Sequence, residues 1–337
     1  MKTELLELLC CPSSGQKLEI SDAHINNDAI ESGWLNTPDG KYSYPIKNYV
    51  PRFVPESNYA DNFGMQWNKF RLTQMDSYTN IPISENRFYH ATNWNKNDLK
   101  DKWILDVGCG AGRFAEVALK AGANVIALDY SRAVDACWSN LGHYENLTVV
   151  QGDIYALPFA KKSFDYVYSH GVLQHTPDVK KPFFSLVPYL KDGGNFCVDF
   201  YEKSWKSSLL PKYWLRPITK KIPKVKLFKA LQKLVPILLP ISVVFSRIPL
   251  IGKVLKRVVP VANYVDDYPL KRKEQLEWSL LDTFDWFSPE YDNPQNEETV
   301  TAWLKEANMK DIEVLKAGHL VGRARSLEIR YGNNRRD

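Results

Sequence analysis

Between Trp103 and Phe200 the chain alternates short apolar runs with segments whose apolar residues recur at helical spacing. The runs predict strands near Trp103–Val107, Asn124–Asp129, Thr148–Gln151, Asp165–Ser169 and Asn195–Phe200. Helices are expected between them, starting near Gly112, Ser131 and Asp178. Strand and helix in strict alternation point to an α/β fold with a parallel sheet. The pattern stops after Tyr201 and resumes late, with a helix near Glu297–Asn308 and strands near Ile312–Lys316 and Arg325–Tyr331. Five zones follow: 1–55, strand-like pieces behind a short amphipathic start; 56–100, a polar and aromatic connector; 101–201, the alternating core; 202–290, an interruption; and 291–337, its resumption. There is no internal repeat and no low-complexity tract.

The 337 residues are 44% hydrophobic, enough for a sizeable core in one large domain or two modest ones. Five cysteines (Cys10, Cys11, Cys109, Cys137, Cys197) do not suggest a disulfide framework, and a reduced, cytoplasmic setting is expected. Acidic residues inside MKTELLELLC make the start a poor signal peptide. The apolar runs are interrupted short of the length that spans a bilayer, so no transmembrane helix is expected.

The stretch ILDVGCGAGRF, Ile104 to Phe114, joins a strand to a helix through three glycines. Glycines there let the backbone turn tightly and approach a ligand. The helix that follows offers free N–H groups and the positive end of its dipole. A dinucleotide site asks for G-x-G-x-x-G; here Gly108, Gly110 and Gly112 are followed by Arg113 where the third glycine of that motif belongs. The phosphate-loop reading fails because no Gly-Lys-Ser/Thr follows. Asp129 ends the second strand, where an acid can accept bonds from both hydroxyls of a ribose, although nicotinamide enzymes use such an acid too. Asp153 follows the third strand, where a carboxylate can take an adenine amino group. Asp106, Asp129 and Asp153 are 23 and 24 residues apart, one βα unit each, so three successive strand ends carry an acid toward one crevice.

At these residues, LDVGCGAGRF, ALDYS, GDIYALPF with SFDYVYSHGVLQH, and LKDGGNFCVDFY, the chain resembles the Rossmann-like S-adenosylmethionine-dependent methyltransferases. The resemblance covers about residues 101–201. It implies a seven-stranded sheet with an antiparallel last strand and helices on both faces. It implies S-adenosyl-L-methionine as methyl donor, with Asp106, Gly108, Gly110, Asp129 and Asp153 as contacts. Ile154 would pack on the adenine, and Cys109, Tyr130 and His170 would line the same pocket. Flanking patterns, QWNKF before the core and DTFDWFSPEYDNP after it, look like a bacterial subgroup of these enzymes.

Methyltransferases of exocyclic base amines often carry Asn/Asp-Pro-Pro-aromatic after the fourth strand. This chain has Ser169-His170-Gly171-Val172, which leaves oxygen, carbon or a small-molecule amine as acceptor. Direct displacement from a sulfonium asks mainly for alignment, worth about 7–11 kcal/mol. A base is needed only where the acceptor holds its proton. His170, His175 and Tyr201 are the catalytic candidates, with Asp285 and Tyr291 also within reach of the acceptor.

The start, LLELLCCPSSGQKL followed by DGKYSYPIKNYVPRFVP, looks like a small zinc-ribbon-type domain, covering about 55 residues. Zinc needs about four Cys/His ligands. Ser14 stands where a C-x2-C pair would place its second thiolate, no second pair follows and His24 is isolated, so no metal is expected. The ribbon is expected to act as a lid or brace.

From Lys203 to Pro260 there are 14 Lys and Arg and no Asp or Glu. Removing those 14 from the 44 of the chain leaves 30 against 39 acidic residues, so a net charge of +5 hides a basic module on an acidic body. Helical spacing puts Leu227, Phe228, Leu231, Leu234 and Val235 on one apolar face. Pro236, Pro240 and Pro249 are expected to break the apolar continuation. Three uses compete: docking on an anionic membrane or lipid-linked substrate, a lid or homodimer interface, and phosphate binding on nucleic acid. Long aliphatic runs without interleaved stacking aromatics disfavour nucleic acid.

The reading is a cytoplasmic methyltransferase, peripheral to the inner face of the membrane if 203–260 meets lipid. Its acceptor would be a small molecule, a glycan or a lipid-linked intermediate, methylated on oxygen or carbon. A non-catalytic adenosylmethionine-binding scaffold and an RNA methyltransferase are the alternatives.

Overall fold

The computed structural model describes residues 1–55, 58–204 and 210–328, apart from the side chain of Lys253. Its centre is a seven-stranded sheet: β5 (Trp103–Val107), β6 (Asn124–Asp129), β7 (Leu147–Gln151), β8 (Phe164–Ser169), β9 (Leu190–Phe200), β10 (Lys310–Ala317) and β11 (His319–Arg325). The order across it is β10-β11-β9-β8-β5-β6-β7. Only β11 runs antiparallel to its neighbours. The chain leaves β5 for β6 on one side and returns to β8 on the other. In α/β sheets such a switch point, here at the carboxyl edge between β5 and β8, is where loops leaving in opposite directions form a ligand crevice.

β5, β6, β7 and β8 are buried on both faces, and their successive residues feed two cores. Leu105, Val107, Ile126, Leu128 and Val150 face one side, with α6 (Lys180–Leu186) and α11 (Glu297–Glu306) packed there through Phe183, Leu186, Val300 and Leu304. Ile104, Val125, Ala127 and Val149 face the other, under α4 (Arg113–Lys120) and α5 (Ala133–Leu141). α3 (Ile83–Thr92) joins that layer through Phe88 and Ala91, preceded by α1 (Asp61–Lys69) and α2 (Asp76–Thr79).

Two strand boundaries differ from the sequence reading. β9 begins at Leu190 rather than Asn195: its register on β8 shifts between Leu190 and Asn195, where Gly193 has φ 75, and this irregularity at Gly193 and Gly194 hides the pattern. The last strand is His319–Arg325 rather than Arg325–Tyr331. Gly318 at φ 80 makes the tight turn out of β10, so β11 starts directly after it. The last part of the expected strand, from residue 329, lies outside the described residues.

At the front, β1 (Glu19–Asn26), β2 (Ala29–Asn36), β3 (Ser43–Lys47) and β4 (Val50–Pro51) form an antiparallel sheet in sequence order. Its apolar residues Leu5, Leu9, Leu18, Ile30, Leu35 and Ile46 merge with the main core. Arg52 ties it to the large sheet, donating to Gln151 at 3.0 Å and pairing with Asp135 at 2.6 Å. Cys11 lies 3.3 Å from the Tyr44 hydroxyl, and no His/Cys/Asp/Glu group suited to a metal occurs among the described residues.

The interruption after β9 is helical: α7 (Pro211–Thr219), α8 (Lys224–Ser246), α9 (Gly252–Leu255) and α10 (Arg272–Phe287). Pro236 and Pro240 do not break α8, which continues through both for 23 residues. Both prolines are exposed, so the carbonyls that lose an N–H partner can reach water. By length and composition α8 is long and apolar enough to cross a membrane. Its inner face is nonetheless packed: Leu227, Phe228, Leu231, Val235 and Leu239 bury against Leu281, Phe284 and Phe287 of α10 and Phe70 behind α1.

Candidate active site

The turn after β5 is built at the crevice. Gly108 has φ 82 and Gly110 φ 54, the left-handed region. A Cβ on Gly108 would lie 2.3 Å from Val172, and one on Gly110 would lie 3.0 Å from the Trp67 ring. The turn is held by Gly108 N–H and Cys109 N–H, both donating to the Leu128 carbonyl at 2.7 and 3.0 Å. Cys109 itself is buried.

Asp106, the penultimate residue of β5, is buried, and its Oδ2 has no hydrogen-bond partner. Burial pushes its carboxyl up to about 7; the adjacent Tyr168 hydroxyl pulls the other way, and the charge of Asp129 adds to the rise. Asp129 ends β6. Its Oδ2 accepts from Gly110 N–H at 3.0 Å, and its Oδ1 accepts from the Ser131 N–H at 2.8 Å and hydroxyl at 2.7 Å. Burial raises its pKa against the pull of those three bonds. Asp153, past β7, is half-buried and accepts from Tyr155 N–H at 2.9 Å. Ile154 is buried in the main core.

Tyr130 stacks obliquely on Tyr59, with ring centres 5.1 Å apart, and its carbonyl accepts from Asn58 at 3.0 Å. Tyr59, Asn58 and Trp67 belong to the connector before the core. The electrostatic neighbours of Tyr59 include Asp129, Asp153, Tyr130 and Tyr155, which puts it among the acids of the crevice. No individual residue of that connector was singled out by sequence reasoning; its density of aromatics, in FGMQWNKF, was the available signal.

His170 and His175 flank the loop after β8, in different environments. His170 is buried with its Nε2 3.3 Å from the Cys197 sulfur and its ring edge against Phe114. Burial lowers its pKa to about 4, although Asp199 opposes the fall. It is therefore neutral at ordinary pH. His175 Nδ1 lies 3.0 Å from the Tyr291 carbonyl. A carbonyl only accepts, so Nδ1 carries the proton and Nε2 the lone pair. That Nε2 is buried without a partner, between the rings of Phe63 and Tyr201. The Tyr201 hydroxyl donates to Asp285 at 2.9 Å, and burial raises its pKa well above the ordinary value. It holds its proton and does not offer a base.

A charged cluster next to His170 escaped the sequence reading. Asp199, near the end of β9, accepts from Arg87 at 3.0 Å and from Gly171 N–H, with His319 at 3.4 Å. Burial alone would raise its carboxyl; His319 and Arg87 outweigh that and hold it well below the usual range. The cluster unites α3, β9 and β11, which are far apart in sequence and share no motif. A cavity of about 150 Å³ lies away from this site, lined by Met1, Tyr49 and Trp138 among others.

The sheet order describes an α/β protein whose topological switch lies at β5, β6 and β8. Residues 105–198 match a family model described as a methyltransferase domain. A sterol 24-C-methyltransferase of Pneumocystis carinii is 31% identical over 115 residues, 33% of this chain and 29% of that protein. A ubiquinone biosynthesis O-methyltransferase of Coxiella burnetii is 29% identical over 113 residues, 33% of this chain and 48% of that protein. The chain thus spans less than half the length of these curated relatives. Among solved structures, human N-acetylserotonin methyltransferase in complex with SAM aligns with 81% of this chain and 60% of its own, at 13% identity and a TM-score of 0.45.

Proposed function

We propose that the protein binds S-adenosylmethionine in the crevice over β5–β7 and transfers its methyl group to an acceptor near His175. The observation that carries this is the buried, unpartnered Oδ2 of Asp106 beside a glycine turn no side chain could occupy. A buried carboxylate oxygen without a donor costs on the order of 1–3 kcal/mol, and an ammonium supplies the missing donor. The methionyl part of the cofactor carries one. Asp129 offers two carboxylate oxygens to a ribose once its own-chain donors give way. In this reading Asp153 takes the adenine amino group, and Tyr59 and Tyr130, in contact with each other at 5.1 Å, supply flat apolar walls. When bound, the cofactor supplies a methyl group on a sulfonium, transferable by direct displacement. The chain's share is to hold, align and dehydrate the reacting pair. His175 Nε2 is the lone pair available to take a proton from an acceptor hydroxyl.

The His170-Gly171-Val172 loop and the helical cover support the reading that the acceptor is the oxygen or carbon of a small-molecule, glycan or lipid-linked compound. Calorimetry with S-adenosylhomocysteine tests the cofactor half. Stoichiometric binding is expected, with none of NAD; the reverse result defeats the reading. The acceptor half is tested by following labelled methyl groups from S-adenosylmethionine into glycan, lipid-extract and RNA fractions. Label confined to RNA would refute it.

A further inference from the structure

The sequence pattern assigned one apolar face to α8; in the structure Leu227, Phe228, Leu231 and Val235 of that face turn inward onto α10, whereas Leu234 points outward. A second apolar surface lies outside it. Stepping at about 100° per residue, Leu234, Ile237, Ile241 and Val244 fall within an arc of about 80°. All four are exposed, Ile237 at 62% and Val244 at 64%. The chain then turns through Pro249 and Leu250, and α9 folds back along α8, with Ser242 Oγ donating to the Lys256 carbonyl at 3.4 Å. At this tip Leu250 is 104% exposed, Val254 66%, and Ile251 and Val258 are also exposed. Water gains nothing from such a patch, and a patch this continuous on a lone soluble surface marks an interaction site.

Charge says what covers it. Over the two turns of α8 before Leu234, beside that apolar arc, Lys226, Lys229 and Lys233 are exposed. Residues 203–260 contain no acid at all. The acids nearest the tip, Asp266 and Asp267, are engaged by Arg247 at 3.4 Å and Lys256 at 2.8 Å. An apolar tip with a cationic shoulder is complementary to a bilayer whose apolar interior lies just beneath anionic headgroups. A second copy of this chain would bring the same positive charge against itself. A spanning arrangement would strip α8 of its contacts with α10.

We infer that the outer face of residues 226–258 is a peripheral docking surface for an anionic phospholipid bilayer, with the α8–α9 tip inserted and the three lysines on the headgroups. The inference is independent of the reaction proposed above.

Sedimentation with vesicles tests it, using phosphatidylcholine alone and an equal mixture with phosphatidylglycerol. The full chain should partition to the mixture, weakly to phosphatidylcholine, and less as salt rises. Ile237→Ser with Val244→Ser and Leu250→Ser should lower partition about tenfold or more, by loss of buried apolar area. All three side chains are outward, so the melting temperature should stay put, which separates lost docking from lost folding. Lys226→Glu with Lys229→Glu and Lys233→Glu should abolish the preference for the anionic mixture. Ile25→Ser, exposed on the N-terminal sheet, serves as the control and should change nothing. No binding to either vesicle overturns the inference, as does equal binding to both. Self-association removed by the Ser variants, without vesicle binding, would assign the face to a second copy and also overturn it.

Discussion

Asp106 and His170 both sit in the candidate site away from water, yet they answer to pH in opposite senses. The Asp106 carboxyl goes from an ordinary 3.8 up to about 7 in the fold. The folded state therefore holds its proton more tightly, and this residue costs stability as pH rises from about 4 to 7, by at most ~1.4 kcal/mol per pH unit. His170 goes from 6.5 down to about 4. The unfolded chain binds that proton more readily, so this residue costs stability as pH falls through the same range. Asp106→Asn removes the first tilt and leaves the second. Its unfolding free energy, measured in urea, should climb with pH more steeply than that of the parent protein. The same carboxyl governs ligand binding. An ammonium ligand needs the ionised form, so affinity for S-adenosylhomocysteine should rise up to about pH 8 and then level off. In Asp106→Asn calorimetry should find that dependence flattened; an unchanged profile would mean Asp106 does not touch the ligand. Asp129→Ala should weaken binding by about 1.5–3 kcal/mol, the scale of hydrogen bonds to a charged partner. For an acceptor that must lose a proton, His175→Gln should lower turnover by roughly 10²–10⁴-fold while calorimetric cofactor affinity stays unchanged.

At the scale of the element, the turn after β5 was the most legible part of the chain, because its chemistry is local. Three glycines between an apolar run and a helix have few other uses, and β5 and β6 follow the apolar runs that announced them. Gly108 makes a sharp test. Alanine there meets Val172 at 2.3 Å and adopts φ 82. The cost should be about 1–3 kcal/mol of stability from strain, plus a steric term that a smaller neighbour relieves. Thermal unfolding of Gly108→Ala, Val172→Ala and the double variant separates the two, since the double should recover part of the loss and keep the φ penalty. The elements that were hard to read are those where tertiary contact overrides local pattern. β9 is paired with β8 at Leu190 and again from Asn195, so tertiary pairing holds the strand on both sides of the irregularity at Gly193 and Gly194. α8 runs through Pro236 and Pro240 because its inner face is anchored on α10. The Arg87–Asp199–His319 cluster left no trace in the sequence, as ion pairs between distant segments follow no spacing.

Across the whole molecule, the question is whether the helical insertion and the glycine turn are mechanically independent. α1 argues that they are not. Near its end Trp67 lies against Gly110, and just beyond it the Phe70 ring meets that of Phe228 of α8 at a tilt, 5.8 Å between centres. Phe228 also meets Phe284 of α10 at 5.4 Å, and the Lys69 ammonium sits 4.5 Å from its ring centre. One buried ring thus joins the insertion to the segment that covers the candidate cofactor site. Phe228→Ala should cost on the order of 3–5 kcal/mol, as for other buried aromatic truncations, and the loss should be local to what Phe228 touches. Hydrogen exchange reads this directly: protection should fall together in α8, α10 and α1 while β5 and β6 keep theirs. Ile237→Ser changes the same helix on its outer side and should leave all of these amides protected. Trp67 lies over Gly110, so saturating S-adenosylhomocysteine, if it contacts that turn as proposed, should alter exchange in α1 and, through Phe70, in the first turns of α8. If α1 responds and α8 does not, the two ends of the segment move separately, and docking of the insertion would have no route to the site.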